Sequence, residues 1–170
     1  MDCRGANCNN FNSISCQFPE AHRFVADSPS SLTVKKLTEN EWLRLKSIRL
    51  AALQDAPSSF LSNHEREVAY DEQQWREEFS RGEWNIMLVG EKEMGLLGVT
   101  REKTMPAEEC YLEYLWIAHE FRRAGLGSTL LTVVLDDLLR AGVETVWLYI
   151  SQRQPWRLAL LSAIRLRAHE

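Results

Sequence analysis

The sequence is short of the features that mark several large classes of protein. Basic residues do not dominate it: 20 Lys and Arg stand against 24 Asp and Glu, a formal net charge of -4. A general nucleic-acid binder is usually basic, so that class is disfavoured. No apolar run approaches the length of a membrane span, and the first residues lack the basic-then-apolar layout of a secretion signal. The expectation is a soluble, cytoplasmic protein without a membrane partner. Cysteine is scarce, with 4 in the chain. Cys3, Cys8 and Cys16 with His22 make a C-x4-C-x7-C-x5-H spacing that fits no zinc site, and Cys110 stands apart in an apolar run. No metal is expected. Internal repeats are absent too.

What remains is an ordinary globular balance, 45% hydrophobic and 26% charged in 170 residues, enough for one domain with a sizeable core. Residues 1–30 show no sustained periodicity and many Asn, Ser and Pro, so they read as a polar, disordered tail. The domain is expected over 31–170. "SLTVKKL" is a short β-type run, and Trp42, Leu45, Ile48, Arg49, Ala52 and Leu53 then recur at helical spacing. Thr38 and Glu41 have the form of a capping box, and Pro57 stops the helix. "DEQQWREEFSRG" gives a second helix capped by Asp71.

"WNIMLVGE" and "GLLGVTREKT" read as paired strands joined by "EKEMG", and "CYLEYLWIA" as a central strand. A helix follows from Leu126, with Leu126, Leu130, Val133, Val134 and Leu138 on one face and Gly142 at its end. "ETVWLYIS" is a further buried strand, and "PWRLALLSAIRLRAHE" reads as a final helix. The strand–helix–strand unit from Cys110 to Ser151 implies parallel pairing.

Chemistry concentrates in "EFRRAGLGSTLL". Glycine weakens a helix by roughly 0.5–1 kcal/mol relative to alanine, so Gly125 and Gly127 at a helix start imply close approach to the backbone. Unpaired N–H groups and the positive end of the helix dipole favour an anion there. Arg122, Arg123 and the Ser128 hydroxyl add to the attraction for a pyrophosphate. Glycines kept only for packing would look the same. A Walker A loop is excluded by the missing Gly-Lys-Ser/Thr, and a dinucleotide fingerprint by Leu130 where its third glycine belongs.

"RRAGLG" resembles the Arg/Gln-x-x-Gly-x-Gly/Ala signature of the GNAT N-acetyltransferase superfamily. "YLEYLWIAHEF" is similar to that family's fourth strand, and "RLAALQDAPSSF" to its first helix and following loop. The resemblance covers roughly Leu32 to Ile150. It implies an α/β fold, a mixed central sheet flanked by helices in the order β-α-α-β-β-β-α-β-α. It also implies acetyl-coenzyme A as donor and an amine of a small molecule or peptide as acceptor. The backbone of Leu115, Trp116 and Ile117 would run beside the pantetheine. Arg122, Arg123, Ala124, Gly125, Leu126, Gly127 and Ser128 would hold the pyrophosphate.

Glu113 is the sole acid inside "CYLEYLWIA" and the candidate base for the amine, the alternative being a structural carboxylate. Strict alternation puts it on the face of Leu115 and Ile117. The family pattern breaks near the end: Gln154, Arg157 and Leu161 stand where the resemblance implies Asn, Ala and Tyr, and the closing strands are expected to be missing. An open edge at "ETVWLYIS" would then promote self-association. A catalytically weak or inactive domain that binds acyl-coenzyme A or a protein partner is the alternative function.

Overall fold

The computed structural model describes residues 32–150 and 160–165. Six strands form one sheet in chain order: β1 (Leu32–Lys36), β2 (Gly82–Val89), β3 (Lys92–Thr100), β4 (Glu109–Ile117), β5 (Thr145–Ile150) and β6 (Leu160–Arg165). Every neighbouring pair is antiparallel except β4 and β5. That one parallel pair is joined by the crossover helix α4 (Leu126–Arg140), as the strand–helix–strand pattern requires.

On the other side of the sheet lie α1 (Trp42–Asp55), α2 (His64–Val68) and α3 (Glu72–Ser80). All six periodic residues of α1 are buried. The Glu41 carboxylate accepts from the Thr38 backbone N–H at 3.1 Å and from its hydroxyl at 3.0 Å, fixing the turn that leads into α1. Asp71 caps α3 by accepting from Gln74 N at 2.8 Å. Short helix α2, begun by Asn63, was not expected from the sequence. On α4 the buried stripe is Leu130, Val134 and Leu138, whereas Val133 is exposed.

The final helix expected over Pro155–Glu170 is corrected. Leu160–Arg165 is strand β6, paired antiparallel to β5 from Thr145↔Arg165 to Ile150↔Leu160. The free edge of β5 satisfies its backbone by taking a neighbouring strand, and that pairing outranks the local helical pattern. The expected absence of C-terminal strands is therefore corrected to the presence of one, and the open β5 edge on which self-association rested is covered. The tail, Gln154 and Arg157 lie outside the described residues.

Candidate active site

The sheet opens in the middle of β4. Its parallel register with β5 runs from Glu109↔Thr145 to Leu112↔Leu148 and stops there, although β5 continues to Ile150. At the same place Tyr114 adopts φ 60°, a left-handed conformation costly for a residue with a Cβ. The register with β3 shifts between Leu96 and Gly98, so that one extra residue of β4 bulges from the ladder. Gly98 makes room for it, since a Cβ there would lie 3.0 Å from both the Trp84 and Tyr114 rings.

The bulge overturns strict alternation. Glu113 pairs with Gly98 and Trp116 with Leu96, alternate residues of β3 that share a face, whereas Ile117 pairs with Gly95. Glu113 therefore lies on the α1–α3 face and Ile117 on the α4 face, not together. One inserted residue has turned over half the strand.

On the α4 face, the turn after β4 forms a cavity of about 410 Å³ lined by Leu115, Ile117, Phe121, Arg122, Arg123, Gly125, Leu126, Gly127 and Ser128. Eight of the ten residues named from the sequence as donor-binding thus come together there. Ala124 and the Trp116 side chain do not, and Phe121 was missed. Gly125 begins α4 at φ 78°, where its missing Cβ removes the strain. The Thr129 N–H reaches the Gly125 carbonyl at 3.0 Å, so Leu126, Gly127 and Ser128 precede the first helical hydrogen bond and have N–H groups without a helical acceptor. Gly127 has ordinary backbone, and a Cβ added to it would meet nothing closer than Ile117 Cγ1 at 3.7 Å. These features fit a pyrophosphate, because exposed amides and absent side chains favour an anion close to the backbone.

The two arginines differ. Arg122 Nε donates to the Ile117 carbonyl at 2.8 Å, and its Nη2 is bound to Asp55 at the end of α1. The same Asp55 oxygen accepts from Trp116 Nε1 at 2.7 Å. Arg122 is thus held as a tie between α1, β4 and the turn, its charge met by Asp55. Arg123 is exposed, with φ 65°. Neither Asp55 nor its double role was visible in the sequence.

On the α1–α3 face, half-buried Glu113 accepts from Thr100 Oγ1 at 3.0 Å. It borders two adjoining cavities, of about 610 and 200 Å³, that also share Tyr114, Glu78 and Arg81. Behind them Arg49 is only 4% exposed. Its Nε donates to Glu67 Oε2 at 2.5 Å, its Nη2 to Glu67 Oε1 at 2.7 Å, and Nη2 lies 3.4 Å from Glu78 Oε1. Burial opposes the arginine's charge, but the Glu67 carboxylate more than offsets this and keeps its pKa above the ordinary value. Arg49 Cζ also sits 4.0 Å from the Tyr114 ring centroid. Burial raises the Tyr114 phenol pKa, with Arg49 acting against it.

Glu67, in α2, and Glu78, in α3, are both buried and paired with Arg49. The available signal for Arg49 was an arginine on the apolar stripe of a helix. Among the described residues no group of three or more His, Cys, Asp or Glu is placed to hold a metal, and no helix is long and apolar enough to cross a membrane.

The sheet thus parts beside a helix start whose first N–H groups have no helical acceptor, and the comparisons with known proteins identify the family. The model described as the acetyltransferase (GNAT) family matches residues 49–161, and the chain belongs to that family. No match was found among curated protein sequences. Among solved structures it is similar to the aminoglycoside acetyltransferase HMB0005 from an uncultured soil metagenomic sample. The identity is 21%, with coverage of 69% of this chain and 78% of that one and a TM-score of 0.56. It is also similar to the PaiA N-acetyltransferase of Thermoplasma acidophilum in complex with coenzyme A, at 14% identity, 74% and 82% coverage, and TM-score 0.53. The match to IAA acetyltransferase from Bacillus cereus ATCC 14579 spans 65% of that chain and 69% of this one, at 13% identity and TM-score 0.47. The likeness to the first two, at such identities, shows the fold alone.

Proposed function

We propose that the chain is an N-acetyltransferase that moves an acetyl group from acetyl-coenzyme A to the amine of a small molecule or peptide. The observation that carries this is the end of the β4–β5 ladder at Leu112↔Leu148, with the turn cavity on one face and the Glu113 cavities on the other. Family membership supports acetyl transfer in general. In this reading the N–H groups of Leu126, Gly127 and Ser128 hold the pyrophosphate, with Gly125 and exposed Ala124 leaving the backbone open and Arg123 adding charge. Arg122 positions the turn. Backbone groups of Leu115, Trp116 and Ile117, unpaired toward β5, lie beside the pantetheine arm.

Bound acetyl-coenzyme A supplies an activated acyl carbon. Glu113 takes the proton that the attacking amine must lose, and the Thr100 hydroxyl orients its carboxylate. The new C–N bond forms as the C–S bond breaks, and water supplies the proton to the departing thiolate. The second reading, an acyl-coenzyme-A-binding domain with weak turnover or none, follows from the sequence alignment that sets Leu161 where the family has a tyrosine, an alignment that assumed a helix where the structure has β6.

Calorimetry with acetyl-coenzyme A, followed by thiol release over an amine panel, tests both. Binding with release supports the transferase, and binding without release supports the second reading. Failure to prefer acetyl-coenzyme A over a simple nucleotide refutes both.

A further inference from the structure

Asp55 ends α1, and one of its carboxylate oxygens serves two partners. Oδ2 accepts from Trp116 Nε1 at 2.7 Å and is ion-paired with Arg122 Nη2, while Arg122 Nε donates to the Ile117 carbonyl at 2.8 Å. Arg122 also lines the turn cavity with Gly125, Gly127 and Ser128. A guanidinium has five N–H groups, and those on Nε and Nη2 that meet Ile117 and Asp55 leave others for a ligand oxygen. Among the described residues Arg122 is ion-paired and its neighbour Arg123 is not. The turn therefore carries an arginine that can still donate but whose charge is already met.

That pairing works against a polyanion. Free amides, the helix dipole and arginine charge attract a pyrophosphate, and a carboxylate bonded to the arginine sets a negative charge beside the approaching phosphates. Local geometry asks for less than a charge. The Trp116 indole and the Arg122 guanidinium need an acceptor at this point, and a neutral amide oxygen with two lone pairs would serve both. The charge of Asp55 is thus separable from its place as an acceptor.

We propose that Asp55 sets the affinity of the turn for coenzyme A, its charge holding down the attraction for the pyrophosphate. It is a positioning residue that acts through Arg122. The proposal rests on the reading of this turn as the pyrophosphate site. It also makes the opposite demand from a purely structural role: loss of a brace weakens binding, whereas loss of this charge strengthens it.

The test is titration calorimetry of the full chain with coenzyme A at low and at physiological salt. Asp55→Asn keeps an acceptor for Trp116 and Arg122 and removes the charge, so coenzyme A should bind about threefold or more tightly. Both side chains are partly exposed, so the gain should shrink as salt rises. Asp55→Glu keeps the charge and should show no gain. Asp55→Ser, also neutral, takes the place of the asparagine variant if that one does not fold. Equal or weaker binding in the neutral variant, a gain shared by Asp55→Glu, or a gain indifferent to salt overturns the proposal and leaves the pyrophosphate site standing. No binding of coenzyme A by the unaltered chain overturns both.

Discussion

Replacing Gly127 by alanine should raise stability and leave donor binding nearly unchanged. The residue lies in the first turn of α4 with no positive φ, and a Cβ there would stand 3.7 Å from Ile117 Cγ1, an ordinary contact. Folding therefore makes no demand for glycine at this position. Alanine removes unfolded-chain entropy worth roughly 0.5–1 kcal/mol, the lower end applying near a helix start. For a chain of this length that raises Tm by roughly 1–2 °C. The same methyl would lie against Ile117, and the Arg/Gln-x-x-Gly-x-Gly/Ala signature admits alanine at this position, so acetyl-coenzyme A affinity should change by less than about threefold, roughly 0.7 kcal/mol. Differential scanning calorimetry and titration calorimetry on one preparation read both quantities. A fall of tenfold or more in a stabilised variant would show that the ligand approaches this backbone too closely for any Cβ. A lower Tm would refute the packing argument itself.

Three other outcomes follow from the geometry. Asp55→Ala strands the buried Trp116 indole N–H, about 1–3 kcal/mol, and frees the half-exposed Arg122. The total of about 2 kcal/mol should lower Tm by roughly 4–8 °C. A nitrogen NMR spectrum in which the Trp116 indole signal stays in place would contradict the tie. Glu113→Gln should reduce thiol release about 100-fold with donor affinity intact, because the amide still accepts from Thr100 but takes no proton; full turnover at saturating substrate would return Glu113 to a structural role. Glu41 is held down from 4.5 to about 2, chiefly by Lys35 and then by the Thr38 backbone N–H. A depressed carboxyl contributes stability that is complete above pH 4.5 and lost as pH falls toward 2. Urea midpoints across that window should fall less steeply in Glu41→Gln, and parallel curves would discount the contribution.

How much of this was legible follows from where each signal is stored. The α1 stripe, the Asp71 cap and the parallel β4–β5 unit are local patterns, and they stand as expected. The turn residues gathered for the same reason, being nearly continuous in the chain. Glu113 was found as an acid in an apolar run, but its face was misassigned, since a tyrosine at φ 60° announces no bulge. Arg49, Glu67 and Glu78 are separated along the chain and meet only after α1 to α3 pack, so their pairing had no local trace. The β6 segment carries a helical pattern that the neighbouring strand overrides.

The bulge at Tyr114 has a mechanical consequence. Glu113, on one side of the opening, and Leu115, on the other, are two residues apart in a single strand. At about 3.3 Å per residue, covalent bonds alone keep them within about 7 Å along the strand. The helices that carry the rest of each cavity can shift against the sheet, but this spacing cannot widen with them. A site assembled across two packed layers would lose its alignment as those layers breathe. Here the ruler between the two sides is the polypeptide itself.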